Sequence, residues 1–439
     1  MKNRIFDHKK IGIWGFGVVG KSVYDFLQQF PCSIQILDKQ TQNNPHWIAQ
    51  TDESTITFLE HNDVIITSPG IPLHNYQAYQ HKCITELDIF AQQYTGSTIA
   101  ITGTLGKTSI THAIQHCTPS SIAAGNIGYP MLQAAQQKPL PQKVVLELSS
   151  FQLQYIQQFA PTIALWTNFY PNHLDHHVDE DEYFTSKCMI FKYQQPQQYA
   201  IVPCTILDRI RNTIEIKSSL FLTCNQNCTK HDLPTFYLQE NNVLLSDNNK
   251  TPIIIFNNIH TLPTYTYPEN WIQIIAVLFL QNINLDTLAK RLLSIPAQED
   301  RLEKVAFYKG TTFYNDSKST VWQATQQAIQ SLGDQSCALF LGGISKGTDR
   351  SPLIKYLKNK PITVFAFGKE ASLLQTLCDK HNVTCFSYDK LEDALEACMS
   401  KPLPSNVLFS PSGASFDLFK NYHHRGTIFK DLVNKLTSK

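Results

Sequence analysis

Short apolar runs alternate with amphipathic stretches through the first part of the chain. Residues 10–16, 33–37 and 63–67 have the composition of buried strands, and residues 21–30 have the apolar spacing of a helix. Alternation of strand and helix is typical of a parallel sheet covered by helices. The pattern therefore predicts an α/β domain over residues 1–94.

The same alternation continues in two further segments. Strands are predicted at residues 143–148 and 162–167, and helices at 271–280 and 285–293, with a β-like stretch rich in Asn, Gln and Thr at 200–265. Beyond a boundary near residues 296–300, strands are predicted at 337–341, 363–367 and 406–409. We therefore expect a second domain at 95–297 and a third α/β domain at 298–439.

Composition excludes several classes of function. The 37 Lys and Arg residues balance 36 Asp and Glu, and a net charge of +1 argues against nucleic-acid binding. No apolar run reaches the roughly 18 residues that a membrane span needs, so no membrane is expected as a partner. Eleven scattered Cys, an odd number, indicate reduced thiols and hence a cytoplasmic location.

A glycine-rich turn between a predicted strand and a predicted helix carries the clearest chemistry. Gly103 and Gly106 precede Lys107 and Thr108 in Thr-Gly-Thr-Leu-Gly-Lys-Thr-Ser. Such a turn cradles phosphate with backbone N–H groups, the lysine contacts the β- and γ-phosphates, and the hydroxyl is a ligand of Mg²⁺. The turn is two residues shorter than the common pattern, and a plain strand–turn–helix corner is the alternative.

A second glycine-rich turn follows the first predicted strand. Gly15, Gly17 and Gly20 have the spacing G-x-G-x-x-G, and Asp38 ends the next strand. This arrangement suits a nucleotide diphosphate at a helix N-terminus, with Asp38 on its sugar or base. A dinucleotide site is one alternative, and glycines used only for close packing are the other.

Other polar residues also follow predicted strands. Glu147 suits a second Mg²⁺ ligand, and the segment Asn-His-Leu-Asp-His-His at 172–177 suggests metal or phosphate contact or, alternatively, a solvated loop. Polar clusters at 315–320, 342–346 and 410–415 follow strands of the third domain. Open α/β sheets bind ligands at this edge, so we expect a ligand site there.

Together these motifs resemble the Mur ligase family, ATP-dependent amide ligases of peptidoglycan synthesis, from Gly15 to about Phe429. The resemblance implies a Rossmann-like N-terminal domain, a central P-loop ATPase-type α/β domain and a Rossmann-like C-terminal domain. The three clusters of the last domain resemble those of the family member that adds D-glutamate to UDP-N-acetylmuramoyl-L-alanine. The expected reaction therefore passes through an acyl phosphate.

The resemblance also implies a role for each matching residue. Catalysis would involve Lys107, His173 and a carbamylated Lys187, and two Mg²⁺ ions would be held by Thr108, Glu147, His173 and Lys187. ATP would be bound by Gly103, Thr104, Gly106, Lys107, Thr108, Ser109, Arg301 and Asp316. The UDP substrate would contact Gly15, Gly17, Gly20, Asp38, Lys39, Ser68, Asn126 and Gln152. D-glutamate would lie among Lys318, Thr320, Lys346, Ser415 and Tyr422.

Three positions depart from the family pattern, namely Leu105, Tyr422 and Lys39, and they concern affinity rather than the reaction. We expect a cytoplasmic monomer whose partners are small molecules. A folate polyglutamylating ligase, a nicotinamide oxidoreductase and a non-catalytic nucleotide-binding protein are the alternatives. The first would not need the N-terminal glycine-rich domain, the second leaves Lys107 and Glu147 unexplained, and the third leaves Lys187 unexplained as well.

Overall fold

The computed structural model describes residues 4–40, 46–170, 177–226, 232–247, 251–263, 266–296, 298–345 and 347–438. The chain divides into two compact units, Met1–Ile259 with Glu269–Ile295, and His260–Pro268 with Pro296–Lys439. The described residues form one five-stranded, one nine-stranded and one six-stranded sheet. The first two sheets belong to the first unit and the third belongs to the second unit, which confirms the predicted α/β class.

The first sheet is parallel throughout, in the order β3-β2-β1-β4-β5. Its strands are β1 (Lys10–Trp14), β2 (Ser33–Asp38), β3 (Trp47–Ala49), β4 (Val64–Thr67) and β5 (Cys83–Thr85). Its helices are α1 (Val18–Leu27), α2 (Asp52–His61) and α3 (Glu86–Gln93). Strand β1 ends two residues before its predicted end because Gly15 has a φ of 87°, outside the β region.

The second sheet has the order β14-β13-β12-β11-β10-β9-β6-β8-β7. Its strands are β6 (Ser97–Thr102), β7 (Ser121–Gly125), β8 (Lys143–Glu147), β9 (Ile163–Trp166), β10 (Tyr199–Pro203), β11 (Ser219–Cys224), β12 (Thr235–Gln239), β13 (Asn242–Ser246) and β14 (Ile253–Phe256). Pairing is parallel from β7 to β12 and antiparallel beyond.

Seven helices accompany the second sheet. They are α4 (Lys107–Cys117), α5 (Met131–Ala135), α6 (Ser150–Leu153), α7 (Glu180–Lys192), α8 (Leu207–Thr213), α9 (Pro268–Leu280) and α10 (Leu285–Leu293). Helix α8 lies inside the stretch predicted as β-like, so that prediction holds for β11 to β14 but is wrong for residues 207–213.

The third sheet has the order β15-β16-β20-β17-β18-β19. Its strands are β15 (Glu303–Tyr308), β16 (Thr311–Asn315), β17 (Cys337–Gly342), β18 (Ile362–Phe367), β19 (Cys385–Tyr388) and β20 (Asn406–Phe409), and its helices are α11 (Trp322–Ser331), α12 (Ser351–Leu357), α13 (Ala371–Lys380), α14 (Leu391–Met399) and α15 (Tyr422–Thr437). Only the β15–β16 pair is antiparallel, and its turn uses Lys309 and Gly310 with positive φ.

The central strands are apolar because helices cover both faces of each sheet. Ile99, Ala100 and Ile101 of β6 are fully buried, as are Val144 and Val145 of β8. Strands buried on both faces have unbroken apolar sequences, and polar side chains are displaced to the strand ends. Among the helices of the described residues, none is long and apolar enough to cross a bilayer.

Two buried carboxylates join the first sheet to the second within the first unit. Asp88 accepts hydrogen bonds from the Thr85 hydroxyl at 2.8 Å and from the Gln157 N–H at 2.8 Å. Glu86 accepts one from the Leu132 N–H at 3.1 Å. Each predicted domain contains one sheet, and the boundaries at 1–94, 95–297 and 298–439 stay a prediction.

We predict that Glu86 makes the first unit less stable as the pH rises. Burial raises the pKa of Glu86 to about 7, although backbone N–H groups of Leu132 and Met131 oppose the rise. The folded state therefore holds the proton more tightly than the unfolded chain. This contribution is complete below about pH 4.5 and is lost as the pH approaches 7.

The measurement compares urea unfolding of the wild type and Glu86→Gln between pH 5 and pH 8. We expect the wild type to lose up to ~1.4 kcal/mol per pH unit relative to the variant, which cannot ionise at this position. A free-energy difference that stays constant across this range would contradict the prediction.

Candidate active site

The phosphate loop, residues 103–108, joins the end of β6 to the start of α4. Gly103 has a φ of 141°, and a Cβ at this position would lie 2.0 Å from the Thr167 Oγ1. Gly106 has a φ of 82° and precedes the first residue of α4. Both positions therefore require glycine, for left-handed backbone and, at Gly103, for close approach to a neighbouring strand end.

Side chains that follow β9 hold this loop in place. The Asn168 amide accepts from the Leu105 N–H at 2.8 Å and donates to the Leu105 carbonyl at 3.1 Å. The Thr167 hydroxyl donates to the same carbonyl at 2.7 Å, and the Thr104 hydroxyl donates to the Tyr170 carbonyl at 3.1 Å. The loop conformation is thus fixed by the protein itself, which favours binding because little order remains to be imposed.

Two lysines converge on this loop. The Lys107 Nζ donates to the carbonyl oxygens of Gly103 at 2.9 Å and Thr104 at 3.0 Å. The Lys187 Nζ donates to the same Gly103 oxygen at 2.9 Å and lies 4.6 Å from the centre of the Tyr183 ring. One backbone oxygen therefore accepts hydrogen bonds from two side chains that ordinarily carry positive charge.

Lys187 is 1% exposed, although a lysine is ordinarily expected at the surface. Burial, and secondarily the nearby charge of Lys107, hold the pKa of Lys187 well below its usual value. Within the described part of the chain, no carboxylate forms an ion pair with it. Burial at this position therefore disfavours the ammonium form of Lys187.

Glu147 lies at the end of β8, against which α4 packs. It is 2% exposed, and its Oε1 accepts from the Asn126 Nδ2 at 3.0 Å. Its buried Oε2 has no hydrogen-bond partner among the residues that the structure describes. A buried carboxylate oxygen without a donor fits a cation ligand, and Thr108 in the first turn of α4 is the hydroxyl that the sequence pairs with it.

His173, the third predicted metal ligand, lies outside the described residues. His177, from the same histidine-rich segment, is buried, and its Nε2 lies 2.9 Å from the Ser150 Oγ. No group of three or more His, Cys, Asp or Glu in the described ranges has the arrangement of a metal site. The structure thus places Glu147 and Lys187 but leaves His173 a prediction.

The first glycine-rich turn is held by the residues predicted to bind substrate. The Asp38 Oδ2 accepts from the Phe16 N–H at 2.6 Å, and its Oδ1 accepts from the Gln40 N–H at 2.8 Å. The Ser68 hydroxyl donates to the Gly15 carbonyl at 2.9 Å. Asp38 and Ser68 therefore shape the turn whether or not they also contact a ligand.

The remaining residues of this turn differ in their surroundings. A Cβ at Gly20 would lie 2.1 Å from the Gly15 oxygen, so Gly20 allows close packing. A Cβ at Gly17 would meet no atom within 4 Å, and Lys39 is exposed. The space at Gly17 and the exposure of Lys39 are compatible with ligand contact.

A cleft in the first unit brings Ser68 and Gln152 together. It is also lined by Thr85, Glu86 and Tyr155. The Gln152 Oε1 accepts from the backbone and hydroxyl of Ser149 at 3.0 and 3.1 Å, which forms a capping box at the start of α6. The motif Glu-Leu-Ser-Ser-Phe-Gln at 147–152 therefore places a carboxylate and an amide at the carboxyl end of β8.

In the second unit, Asp316 follows β16 and is 3% exposed. It accepts from the hydroxyls of Ser319 at 2.5 Å and Ser410 at 2.7 Å. Burial raises the pKa of Asp316 to about 6, while these hydroxyls and, more weakly, the Arg301 charge act in the opposite direction. The charge of Arg301 therefore acts on Asp316, and a shared contact of these two residues with ATP stays a prediction.

Other predicted residues of the second unit lie on neighbouring strand ends. Lys318 and Tyr422 meet, with the Lys318 Nζ 5.4 Å from the ring centre. Thr320 is exposed and Ser415 is buried, whereas Lys346 lies outside the described residues. Strands β16, β20 and β17 are adjacent and parallel, so the loops that follow them share one edge of the sheet.

Sequence reasoning missed several residues that shape the phosphate loop. A Cβ at Gly106 would lie 2.8 Å from the Asn270 Oδ1, and the Gln273 Nε2 donates to the Thr167 carbonyl at 2.6 Å. Both are buried polar residues on the otherwise apolar helix α9. Their three-residue spacing on a buried helix is the signal that could have indicated them.

Comparison with known proteins gives concordant results. The Mur ligase middle domain matches residues 101–246. A relative from Koribacter versatilis, UDP-N-acetylmuramoylalanine--D-glutamate ligase, is 30% identical, with 98% of this chain and 98% of that protein covered.

Solved structures of MurF share the fold. The enzyme from Acinetobacter baumannii has a TM-score of 0.61 at 17% identity, covering 99% of this chain and 92% of that one. The Thermotoga maritima enzyme, solved in complex with ADP, has a TM-score of 0.58 at 13% identity, covering 99% and 96%. From the full-length sequence relationship, we conclude that this chain belongs to the Mur ligase family.

Proposed function

We propose that this protein is an ATP-dependent ligase that joins D-glutamate to UDP-N-acetylmuramoyl-L-alanine through an acyl phosphate. The observation that carries the proposal is the phosphate loop with Lys107, Lys187 and the Glu147 Oε2, which no donor of the described residues contacts. The D-glutamate ligase of Koribacter versatilis, to which this chain is similar, supports the choice of amino acid and acceptor.

The first step is phosphoryl transfer. A carboxylate oxygen of the L-alanyl group attacks the γ-phosphorus of ATP, the bond to the β-phosphate oxygen breaks, and ADP leaves. The loop from Gly103 to Ser109, including Thr104, Gly106 and Thr108, binds the phosphates through backbone N–H and hydroxyl groups, and Lys107 offsets the charge that develops. Arg301 and Asp316 are assigned to ATP.

The second step is acyl transfer. The D-glutamate amine attacks the acyl carbon, and the tetrahedral intermediate expels phosphate to leave the amide after loss of a proton. Acyl phosphates hydrolyse in water, so the enzyme must exclude water from this intermediate.

Magnesium fits the donors that surround the phosphate loop. Glu147 and Thr108 supply oxygen ligands, and His173 and Lys187 are assigned to a second ion. When bound, Mg²⁺ neutralises phosphate charge. The observation that supports this assignment is the buried Glu147 Oε2, which accepts no hydrogen bond from the part of the chain that the structure describes.

Lys187 is proposed to act as a carbamate. The neutral amine adds to the carbon of CO₂ and loses a proton, which replaces a buried cation by an anionic oxygen ligand. Burial destabilises the ammonium form of Lys187, and no carboxylate of the described residues forms an ion pair with it. The carbamate would instead have two cations to compensate it, Lys107 and Mg²⁺.

Substrate contacts follow from the two glycine-rich turns and the third sheet. Gly15, Gly17, Gly20, Asp38, Lys39 and Ser68 are assigned to the UDP part, and Asn126 and Gln152 to the acceptor. Lys318, Thr320, Lys346, Ser415 and Tyr422 are assigned to D-glutamate, because a dicarboxylate needs cations and hydroxyl donors. We propose a cytoplasmic monomer, since one chain carries every assigned residue and its nucleotide substrates are cytoplasmic.

The test is phosphate release with a panel of amines and UDP-muramyl acceptors. We expect D-glutamate with UDP-N-acetylmuramoyl-L-alanine to give the highest kcat/KM, with equimolar ADP and amide product. Faster ligation of L-glutamate, D-alanine or diaminopimelate would refute the amino-acid assignment. Folate-dependent phosphate release would support the folate ligase instead.

Lys107→Ala should lower kcat by roughly 10²-fold or more, because a positioned cation at the transferred phosphate is lost. Lys107→Arg, which keeps the charge with another geometry, should be intermediate. Phosphate release and circular dichroism are the measurements. A folded alanine variant with near-normal kcat at saturating ATP would show that this loop does not bind ATP.

Lys187→Ala should abolish ligation, and millimolar formate or acetate should partly restore it by supplying a carboxylate oxygen. Wild-type activity should also fall in CO₂-depleted buffer and return with bicarbonate. Lys192→Ala is the matched control, because Lys192 ends the same helix and is exposed. Full activity of the Lys187 variant would remove the residue from the reaction.

A further inference from the structure

Arg425, on the first turn of α15, is completely buried. Its Nη2 donates to the Ser317 carbonyl at 2.6 Å, its Nε to the Ser317 hydroxyl at 3.1 Å, and its Nη1 to the Gly413 carbonyl at 2.9 Å. Among the described residues, no carboxylate forms an ion pair with it. The guanidinium therefore donates its hydrogen bonds to two segments of the chain, at Ser317 and Gly413.

These two segments belong to the strand-end loops, which we define as residues 315–320 after β16, 342–345 after β17 and 410–415 after β20. Ser317 lies in the first loop and Gly413 in the third. The second loop contacts the same group, because a Cβ at Gly343 would lie 2.9 Å from the Arg425 Nη1. One side chain thus contacts all three strand-end loops.

Other contacts show that the strand-end loops form one cooperative structure. Ile344 and Ala414 exchange two backbone hydrogen bonds of 2.8 Å each, which tie the second loop to the third. The Ser317 hydroxyl donates to the Tyr422 carbonyl at 2.7 Å, which ties the first loop to α15. Displacement of Arg425 would therefore be transmitted to every loop.

We propose that Arg425 is a positioning residue that sets the affinity for the amino-acid substrate by holding the strand-end loops in register. The inference rests on the proposed function, because Lys318, Thr320 and Ser415, which are assigned to D-glutamate, stand on two of these loops. Arginine suits this task, since its planar fork donates in several fixed directions at once. Lysine has a single nitrogen and cannot reproduce this geometry.

The proposal distinguishes the amino-acid site from the nucleotide contact. Asp316 also accepts hydrogen bonds that do not involve Arg425, from the Ser319 and Ser410 hydroxyls and from the Leu302 N–H at 3.3 Å. Loss of Arg425 should therefore disturb the residues assigned to D-glutamate more than the residue assigned to ATP.

The experiment measures KM for each substrate, kcat and the thermal midpoint for Arg425→Lys and for Ser317→Ala. Ser317→Ala removes only the hydroxyl contacts and keeps the proposal testable if the arginine variant does not fold. We expect KM for D-glutamate to rise at least about tenfold in Arg425→Lys and about threefold in Ser317→Ala. KM for ATP should change by less than about threefold, and KM for the UDP substrate should not change.

Arg291→Lys is the matched control. Arg291 is partly buried and donates through Nη1 to the Cys117 carbonyl at 2.9 Å, at the end of α4 remote from the phosphate loop. The Arg291→Lys substitution should lower the thermal midpoint of unfolding without changing KM for any substrate. A merely structural role for Arg425 would give this same result, with fewer active molecules and unchanged KM values.

The outcomes separate the two proposals. If the wild type does not ligate D-glutamate, the proposed function fails. If the wild type ligates D-glutamate but folded Arg425→Lys and Ser317→Ala keep its KM for D-glutamate, the function stands and the positioning role is overturned.

Discussion

Two lysine side chains share one acceptor, the carbonyl oxygen of Gly103, at 2.9 Å each. Two ammonium groups this close repel each other, and burial of one of them makes the repulsion stronger because little water screens it. The arrangement is relieved when one amine is neutral or when anions enter. This repulsion is the physical basis of our proposals that the loop binds phosphate and that Lys187 is carbamylated.

The two lysine amines stay close to each other because neighbouring side chains hold the backbone of the loop in place. Asn168 and Thr167 hold the backbone of Leu105, and a Cβ at Gly103 would overlap the Thr167 hydroxyl. The loop is thus fixed by a neighbouring strand end rather than by its own sequence. The same principle applies in the second unit, where Asp316 is held by hydroxyls from its own loop and from the neighbouring strand end. Both candidate sites are held by hydrogen bonds at the atoms that we assign to charged ligands.

Sequence patterns predicted the parts of this architecture that depend on local order. Buried parallel strands have unbroken apolar runs, so strands such as β8 and β20 could be located within a residue or two. The phosphate loop was evident because glycine, lysine and hydroxyl residues are adjacent in the chain. Helix α8 was missed because a short helix between strands leaves little periodic signal.

Contacts between distant residues could not be predicted in this way. Asn168 and Leu105 are 63 positions apart, and Arg425 and Ser317 are 108 apart. From the sequence alone, Lys187 would be expected at the surface, as most lysines are. Only the resemblance to a family indicated a role for it, and the structure then showed that it is buried. For Asp38, the sequence suggested a ligand contact but not a structural role. The structure shows that its carboxylate accepts two backbone hydrogen bonds.

The two units use positively charged side chains in different ways, and this difference follows from the number and geometry of the donors on lysine and arginine. Lys107 and Lys187 each direct one nitrogen at the Gly103 carbonyl oxygen, and a lysine nitrogen on its flexible stem has no fixed fork of donors. Arg425 donates hydrogen bonds to the Ser317 and Gly413 carbonyls and to the Ser317 hydroxyl. Its guanidinium therefore stabilises the strand-end loops. An arginine that directs three hydrogen bonds at two segments of the chain is suited to positioning. In this ligase, the proposed chemical roles are therefore assigned to lysines, and the proposed positioning role is assigned to an arginine.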